Sequence, residues 1–275
     1  MIINTGFQGI KGSFSEEALY KYFNKTDIKA INYKNFEDVF IAIENNQIKY
    51  GVLPIENSWT GAITNVYDLL NKYNCFITGE VFLKPVQNLL GTADSSIDTI
   101  KEVYSHPQGF EQSTNFLNKY SWKLSPYYNT ALSAKYIKEL NDKSVAAIAS
   151  KKAAQLYNLK ILQENINDTD LNTTRFVVIG KTLEVNSDCD KISILLSTKH
   201  KAGALYNLLK YFAENNINML KIESRPIKHT PWEYYFYIDL EGNIHDDTVK
   251  KAIEQIKHDC HYFRILGNYK NTLNI

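Results

Sequence analysis

The sequence predicts two α/β units in tandem: a mostly parallel α/β part over residues 1–182 and a ferredoxin-like βαββαβ module over residues 191–275. Three observations carry that expectation. Short β-rich runs end repeatedly in polar residues that open an amphipathic helix. The helices between them are long enough to serve as crossovers between parallel strands. Residues 183–190 then turn polar and acidic, without Pro or Gly, and read as a linker to a different order of elements.

In chain order, residues 1–5 read as a strand and Gly6 to Gly12 as a glycine-bearing turn. Ser13 and Glu16 have the spacing of a capping box and open the first helix. Gly9-Ile10-Lys11-Gly12-Ser13 is not a Walker loop, because the glycine spacing differs and no Gly-Lys-Ser/Thr follows. A second helix starts at Asn35, with Phe36, Val39, Phe40 and Ile43 on its apolar side. Tyr50-Gly51-Val52-Leu53 is a buried strand that stops at Pro54 and hands Glu56-Asn57-Ser58 to a helix over 62–71. On its own, Asn57-Ser58 reads as turn and cap chemistry. Residues 76–91 read as extended, with Val81, Leu83 and Val86 in alternation.

The same design recurs at Glu102–Ser105, where Pro107 takes a first helical position and the helix runs to 118. Ser105 and Gln108 fall at that junction, and Gln112 points along the first turns. His106 titrates near neutrality, but no carboxylate or second His is near it in sequence, which favours a capping role. Asn129-Thr130 opens a helix to about 140, and Val145–Ala149 is a strand handing Ser150 to a helix that ends at Tyr157. Residues 159–162 are extended and 166–170 are loop. The stretch that follows, Asn172-Thr173-Thr174-Arg175-Phe176-Val177-Val178-Ile179-Gly180, is a buried strand whose leading edge carries a hydroxyl, a guanidinium and a ring. Alternation aims Thr174 and Arg175 in opposite directions. Either the strand is irregular there or Arg175 braces it from behind, and the reading leans to the irregular strand. The C-terminal module reads as strand 192–198, helix 203–214, strands 217–226 and 232–240, helix 246–258 and strand 260–266.

A chain of 275 residues, 44% of them hydrophobic, can build two cores. A net charge of +1 gives no footprint for nucleic acid or an anionic membrane. No apolar run approaches the ~20 residues of a membrane span, and no leader pattern opens the chain, so a cytoplasmic location is expected. Cys75, Cys189 and Cys260 are odd in number and widely spaced; they read as reduced thiols, with no metal pattern.

Taken together, the blocks Gly12-Ser13-Phe14-Ser15, Gly51 to Ser58, Ser105-His106-Pro107-Gln108, Asn129-Thr130-Ala131, Ala146 to Ser150 and Asn172 to Phe176 resemble monofunctional prephenate dehydratases. Gly203-Ala204-Leu205 and Glu223-Ser224-Arg225-Pro226 resemble the GAL and ESRP motifs of the ACT regulatory domain that follows in that family. The departures are mild: Ile10-Lys11 replaces Pro-Glu, Gly109 stands where Ala or Pro is commoner, and Asn158 replaces a Gly.

The resemblance implies a two-lobed catalytic domain like type II periplasmic binding proteins. It divides that domain into lobe one (about 1–75 plus 160–180) and lobe two (about 76–159). It implies decarboxylating dehydration of prephenate to phenylpyruvate without cofactor or metal, with Thr174, Arg175 and Phe176 as catalytic residues. Asn57, Ser58, Ser105, Gln112 and Thr130 are the implied substrate contacts. L-phenylalanine is the implied inhibitor, bound by Gly203, Ala204, Leu205, Asn218, Glu223, Ser224, Arg225 and Pro226 at an ACT interface. ACT domains of this kind imply a homodimer or homotetramer, with the strand near Ile192 and the helix from Gly203 as pairing elements. Arogenate as substrate, or a non-catalytic amino-acid sensor on the same folds, are the alternative readings.

Overall fold

The described residues, 2–25 and 27–273 of a computed structural model, form one ten-stranded and one five-stranded sheet. In chain order the elements are β1 (Ile3–Gln8), α1 (Phe14–Tyr22), β2 (Ile28–Tyr33), α2 (Phe36–Glu44), β3 (Tyr50–Asn57), β4 (Gly61–Ala62), α3 (Thr64–Lys72), β5 (Phe76–Leu83) and β6 (Asn88–Gly91). They continue with β7 (Glu102–Ser105), α4 (Pro107–Glu111), α5 (Thr114–Leu117), β8 (Lys123–Pro126), α6 (Thr130–Leu140), β9 (Val145–Ala149), α7 (Lys151–Tyr157), β10 (Lys160–Gln163) and β11 (Thr174–Gly180). The C-terminal module comprises β12 (Lys191–Ser197), α8 (Ala204–Glu214), β13 (Met219–Pro226), β14 (Tyr234–Glu241), α9 (Asp247–Asp259) and β15 (Tyr262–Tyr269). Among the described residues no helix is long and apolar enough to cross a membrane.

Lobe one is the sheet β2-β1-β3-β11-β5, and lobe two the sheet β10-β6-β9-β7-β8. Strands joined by a crossover helix pair in parallel, as β1 does with β2 and β3, and β7 with β8 and β9. Strands adjoining the passages between lobes run antiparallel: β11 against β3 and β5, and β6 against β9 and β10. The sheets are therefore mixed rather than mostly parallel. The expected lobe boundaries also move. Residues 76–83 belong to lobe one because β5 pairs along its length with β11, and residues 160–163 belong to lobe two because β10 pairs with β6. The chain passes between lobes at 84–87 and 164–173. The helix expected to 118 is two short ones, α4 and α5, broken at Gln112 and Ser113.

The module has the expected βαββαβ order, with sheet order β13-β14-β12-β15. Its helices α8 and α9 cover one face, where Ile194, Leu208, Phe212 and Ile256 pack together. The other face lies on lobe one: Leu195, Tyr237, Leu266 and Tyr269 share a buried cluster with Phe40, Leu70 and Cys75. One parallel bridge, Gly267 to Ile77, joins β15 to β5. A Cβ on Gly267 would stand 2.2 Å from the Ile77 carbonyl oxygen, so this approach requires glycine. The strand near Ile192 is not available for pairing with another copy, because β12 is central, bonded to β14 on one side and β15 on the other. The edge of that sheet is β13.

Candidate active site

The end of β3 and the start of β11 bring together three buried polar residues, Asn57, Asn172 and Thr174. Asn57 Nδ2 donates to Thr174 Oγ1 at 2.9 Å and to Asn172 Oδ1 at 2.7 Å. Asn57 Oδ1 accepts from the backbone amides of Trp59 (3.0 Å) and Thr60 (3.1 Å). Those two donors settle which way the amide faces: oxygen to the turn, nitrogen to Thr174. A hydroxyl that accepts from Asn57 keeps its own hydrogen for a group in front of it. Asn172 Nδ2 is buried without a partner, a second donor beside that hydroxyl.

Ser58 is spent on the loop, accepting from the Thr173 amide at 2.9 Å and donating to Leu171 O at 3.2 Å. Arg175 departs furthest from expectation. The strand is irregular, with a register shift against β3 between Arg175 and Phe176, yet the guanidinium turns away from Thr174 into the contact with the C-terminal module. There Nε bonds Glu80 (2.7 Å), Nη1 bonds Asp239 (2.6 Å) and Nη2 bonds the Tyr269 hydroxyl (2.8 Å). Burial opposes its charge, but Asp239, Tyr269 and Glu80 outweigh that and hold its pKa above the ordinary value. Arg175 thus braces from behind, the arrangement that strict alternation requires. Phe176 is buried with Phe7, Leu19, Val52 and Leu83 as packing beneath the strand, not as an open wall.

In lobe two, β7 runs into α4 at a second polar junction. Ser105 is fully buried and donates to Ile148 O at 3.1 Å. A Cβ on Gly109 would lie 2.4 Å from Ser105 Oγ and 3.6 Å from Thr130 Cγ2, which places Ser105 and Thr130 around one small space and shows why glycine suits it. His106 caps α4, its Nδ1 accepting from the Gln108 amide at 3.2 Å, and burial lowers its pKa, as a capping imidazole requires. Gln112 is turned toward the passages between lobes: its side chain accepts from Gln87 (3.0 Å) and its carbonyl from the Asp168 amide (2.8 Å). The two junctions are linked by Gln108 Nε2 donating to Thr60 Oγ1 at 3.2 Å.

Residues 5–184 match the family model described as prephenate dehydratase, and residues 192–258 match that of the ACT domain. The chain belongs to the prephenate dehydratase family. A prephenate dehydratase of Methanocaldococcus jannaschii is 39% identical over 265 residues, covering 94% of this chain and 95% of its own. The solved prephenate dehydratase of Arthrobacter aurescens, in complex with L-Phe, superposes with a TM-score of 0.91 at 25% identity, covering 98% of this chain and 90% of its own. A solved protein described as a novel type of quorum quenching acylase has a TM-score of 0.89 at 26% identity, covering 98% of each chain. One fold thus carries more than one described activity, and function has to be read from the site.

Of the regulatory residues that the prephenate dehydratase family implies, Gly203, Ala204 and Leu205 line a pocket of about 340 Å³ with Trp232, Tyr234 and Phe236. Gly203 caps α8 at φ 77°, a conformation that favours glycine. Asn218 lies at the opposite end of the sheet, where its carbonyl accepts from the Glu241 amide. Arg225 is held by Asp68 of α3 through two 3.1 Å bonds, and Glu223 is 3.9 Å from Lys221. Ser224 and Pro226 are exposed on the edge strand. One chain therefore assembles the glycine end of the pocket but does not bring Asn218 to it. Sequence reasoning gave no role to Asn172, though it opens the same polar stretch as Thr174. It also missed Glu80 and Asp239, single carboxylates inside strands whose partners lie far away in sequence.

Proposed function

We propose that this chain converts prephenate to phenylpyruvate and is inhibited by L-phenylalanine bound at its ACT module. In the reaction the ring carboxylate leaves as carbon dioxide, its C–C electron pair enters the ring, and the para C–O bond releases hydroxide. Aromatisation supplies the driving force. What the protein contributes is binding of two carboxylates and stabilisation of the departing hydroxide.

The observation that carries the reading is the Asn57–Thr174 bond, which leaves the Thr174 hydrogen free to face the leaving oxygen. A threonine hydroxyl is too weak an acid for full proton transfer, so its contribution is a positioned hydrogen bond, with Asn172 Nδ2 beside it. The free amides at the start of α6, capped by Asn129, suit a substrate carboxylate near Thr130.

L-phenylalanine fits the Gly203 pocket in character: amides at a helix start for its carboxylate and Leu205, Trp232 and Phe236 for its ring. Antiparallel pairing of two β13 edges about a two-fold axis would carry Asn218 of a second copy to the Gly203 end, completing what one chain leaves open. Exposed Met219, Ile222, Tyr206 and Trp232 lie on or near that edge. A homodimer, or a dimer of dimers, follows; sedimentation showing only a 31.7 kDa species would contradict it. Free Cys75, Cys189 and Cys260 suit a cytoplasmic setting.

The test is release of phenylpyruvate from prephenate by the purified chain, with and without phenylalanine, alongside arogenate as a competing substrate. Gly203→Val, strained at positive φ, is expected to keep turnover and lose inhibition. No phenylpyruvate from the parent would refute the activity, and full inhibition of the variant would place the effector elsewhere.

A further inference from the structure

Directly behind the Asn57–Thr174 pair lies a square of alternating charge shared by the two domains. Glu56 and Arg175 are register partners on β3 and β11, and Lys221 and Asp239 are register partners on β13 and β14. Lys221 Nζ meets Glu56 Oε1 at 2.5 Å, and Arg175 Nη1 meets Asp239 Oδ2 at 2.6 Å and Glu56 Oε2 at 3.8 Å. Glu80 and Lys191, 2.9 Å apart, extend the square by one neutral pair. Three cations face these three carboxylates, and Glu223 adds a fourth carboxylate 3.9 Å from Lys221. Burial opposes the Asp239 charge, but Arg175, Lys191 and Ser193 overcome it and hold its pKa below the ordinary carboxylate value.

The lobe-one corners of this square are the chain neighbours of the site: Glu56 precedes Asn57, and Arg175 follows Thr174. Alternation sends each site residue forward and its neighbour back. The β3–β11 ladder is irregular at this point, shifting register after Arg175, so backbone bonds alone do not set how the two strands lie there. Arg175, Glu80 and Asp239 are buried and paired while Lys221 and Glu56 are partly exposed, so a slip that unpairs these charges is penalised most at the inner corners.

We propose that Lys221 and Asp239 of the ACT module are positioning residues for the Asn57–Thr174 pair, acting through Glu56 and Arg175. The module is then part of the catalytic architecture as well as a seat for an effector. The kinetic consequence rests on the dehydratase reading; the positional one does not.

Trp59 provides a readout independent of turnover, since its amide bonds Asn57 Oδ1 and its ring is exposed. With Trp122→Phe and Trp232→Phe it becomes the single reporter. In that full-length background, Lys221→Met and Glu56→Gln, which remove a charge without placing like charges beside Arg175 or Asp239, are made singly and together. Each single variant is expected to shift Trp59 emission and lower kcat by about 10-fold or more, with KM within about threefold. Because the two act through one ion pair, the double variant should lose little more than its worse parent in both readouts. Folded single variants with unchanged emission and kcat, or a double whose losses are the full sum of its parents', would overturn the proposal. Asp239→Asn tests the buried corner in the same way; should it fail to fold, the Lys221 and Glu56 variants, at partly exposed corners, decide. If the parent releases no phenylpyruvate, the functional reading fails and the Trp59 shift with its non-additivity decides the positional claim alone.

Discussion

Lobe one has two joints, one to lobe two and one to the ACT module, and they are built from different materials. At the ACT joint an apolar cluster crosses the boundary, taking Phe40, Leu70 and Cys75 from one side and Leu195, Tyr237 and Tyr269 from the other. Tyr237 donates to Tyr67 O at 2.8 Å, and Arg264 to Leu70 O at 3.0 Å and Cys75 O at 2.8 Å. At the joint between lobes, the apolar clusters stay on their own sides among the described residues. What crosses is polar: Gln108 to Thr60, Tyr157 to Lys11 O, Ser150 to Gly12 O, and the Lys152–Glu16 pair. Of these, Gln108–Thr60 and Tyr157–Lys11 are exposed and exchange with water at small cost, while Ser150–Gly12 and the Glu16 carboxylate are buried. The ACT joint adds a shared apolar core and the buried Arg175 pairs, which do not exchange so. Lobe one and the ACT module are therefore expected to move as one body, with lobe two the part that rearranges around a substrate.

The sharpest way to break this comparison is to remove the guanidinium at the stiff joint. Arg175→Met leaves Glu80 and Asp239 without that cation in a buried setting and is expected to cost about 3–5 kcal/mol in urea unfolding. At the other joint, Gln108→Ala removes a bond between half-exposed groups and is expected to cost less than about 0.5 kcal/mol. Its effect should appear in KM for prephenate, raised by about threefold with kcat held, because it loosens closure and not the chemistry. Equal losses of stability from the two substitutions would erase the distinction between the joints.

The sequence makes some of this plain and hides the rest for physical reasons. The polar junctions at Asn57, Ser105 and Ser150 were legible because a β-branched or small-residue run, a polar residue and a helix start follow one another locally. However, β3 does not stop at Pro54 as expected: it runs on to Asn57, with Pro54 accommodated where the ladder to β11 shifts register. The ACT elements fall within two residues of expectation at most boundaries for the same reason. The lobe division was not legible at 76–83 or 160–163, because nothing local says which sheet an extended segment joins. That depends on β11 and β6, far away in sequence. The strands at 28–33 and 123–126 carry polar residues on half-exposed edges and give no clear alternation. Arg175 shows the limit most directly. Its bulge was anticipated, but its partners Glu80, Asp239 and Tyr269 come from three other strands, and only the assembled interface turns it away from the substrate side.

Thr174, held by Asn57, is expected to donate to the leaving hydroxide. Thr174→Val keeps the shape of the side chain and removes only that hydrogen, so steady-state turnover of prephenate tests it directly. We expect kcat to fall about 10²–10³-fold with KM little changed. A folded Thr174→Val enzyme whose kcat stays within a few-fold of the parent would contradict the assignment.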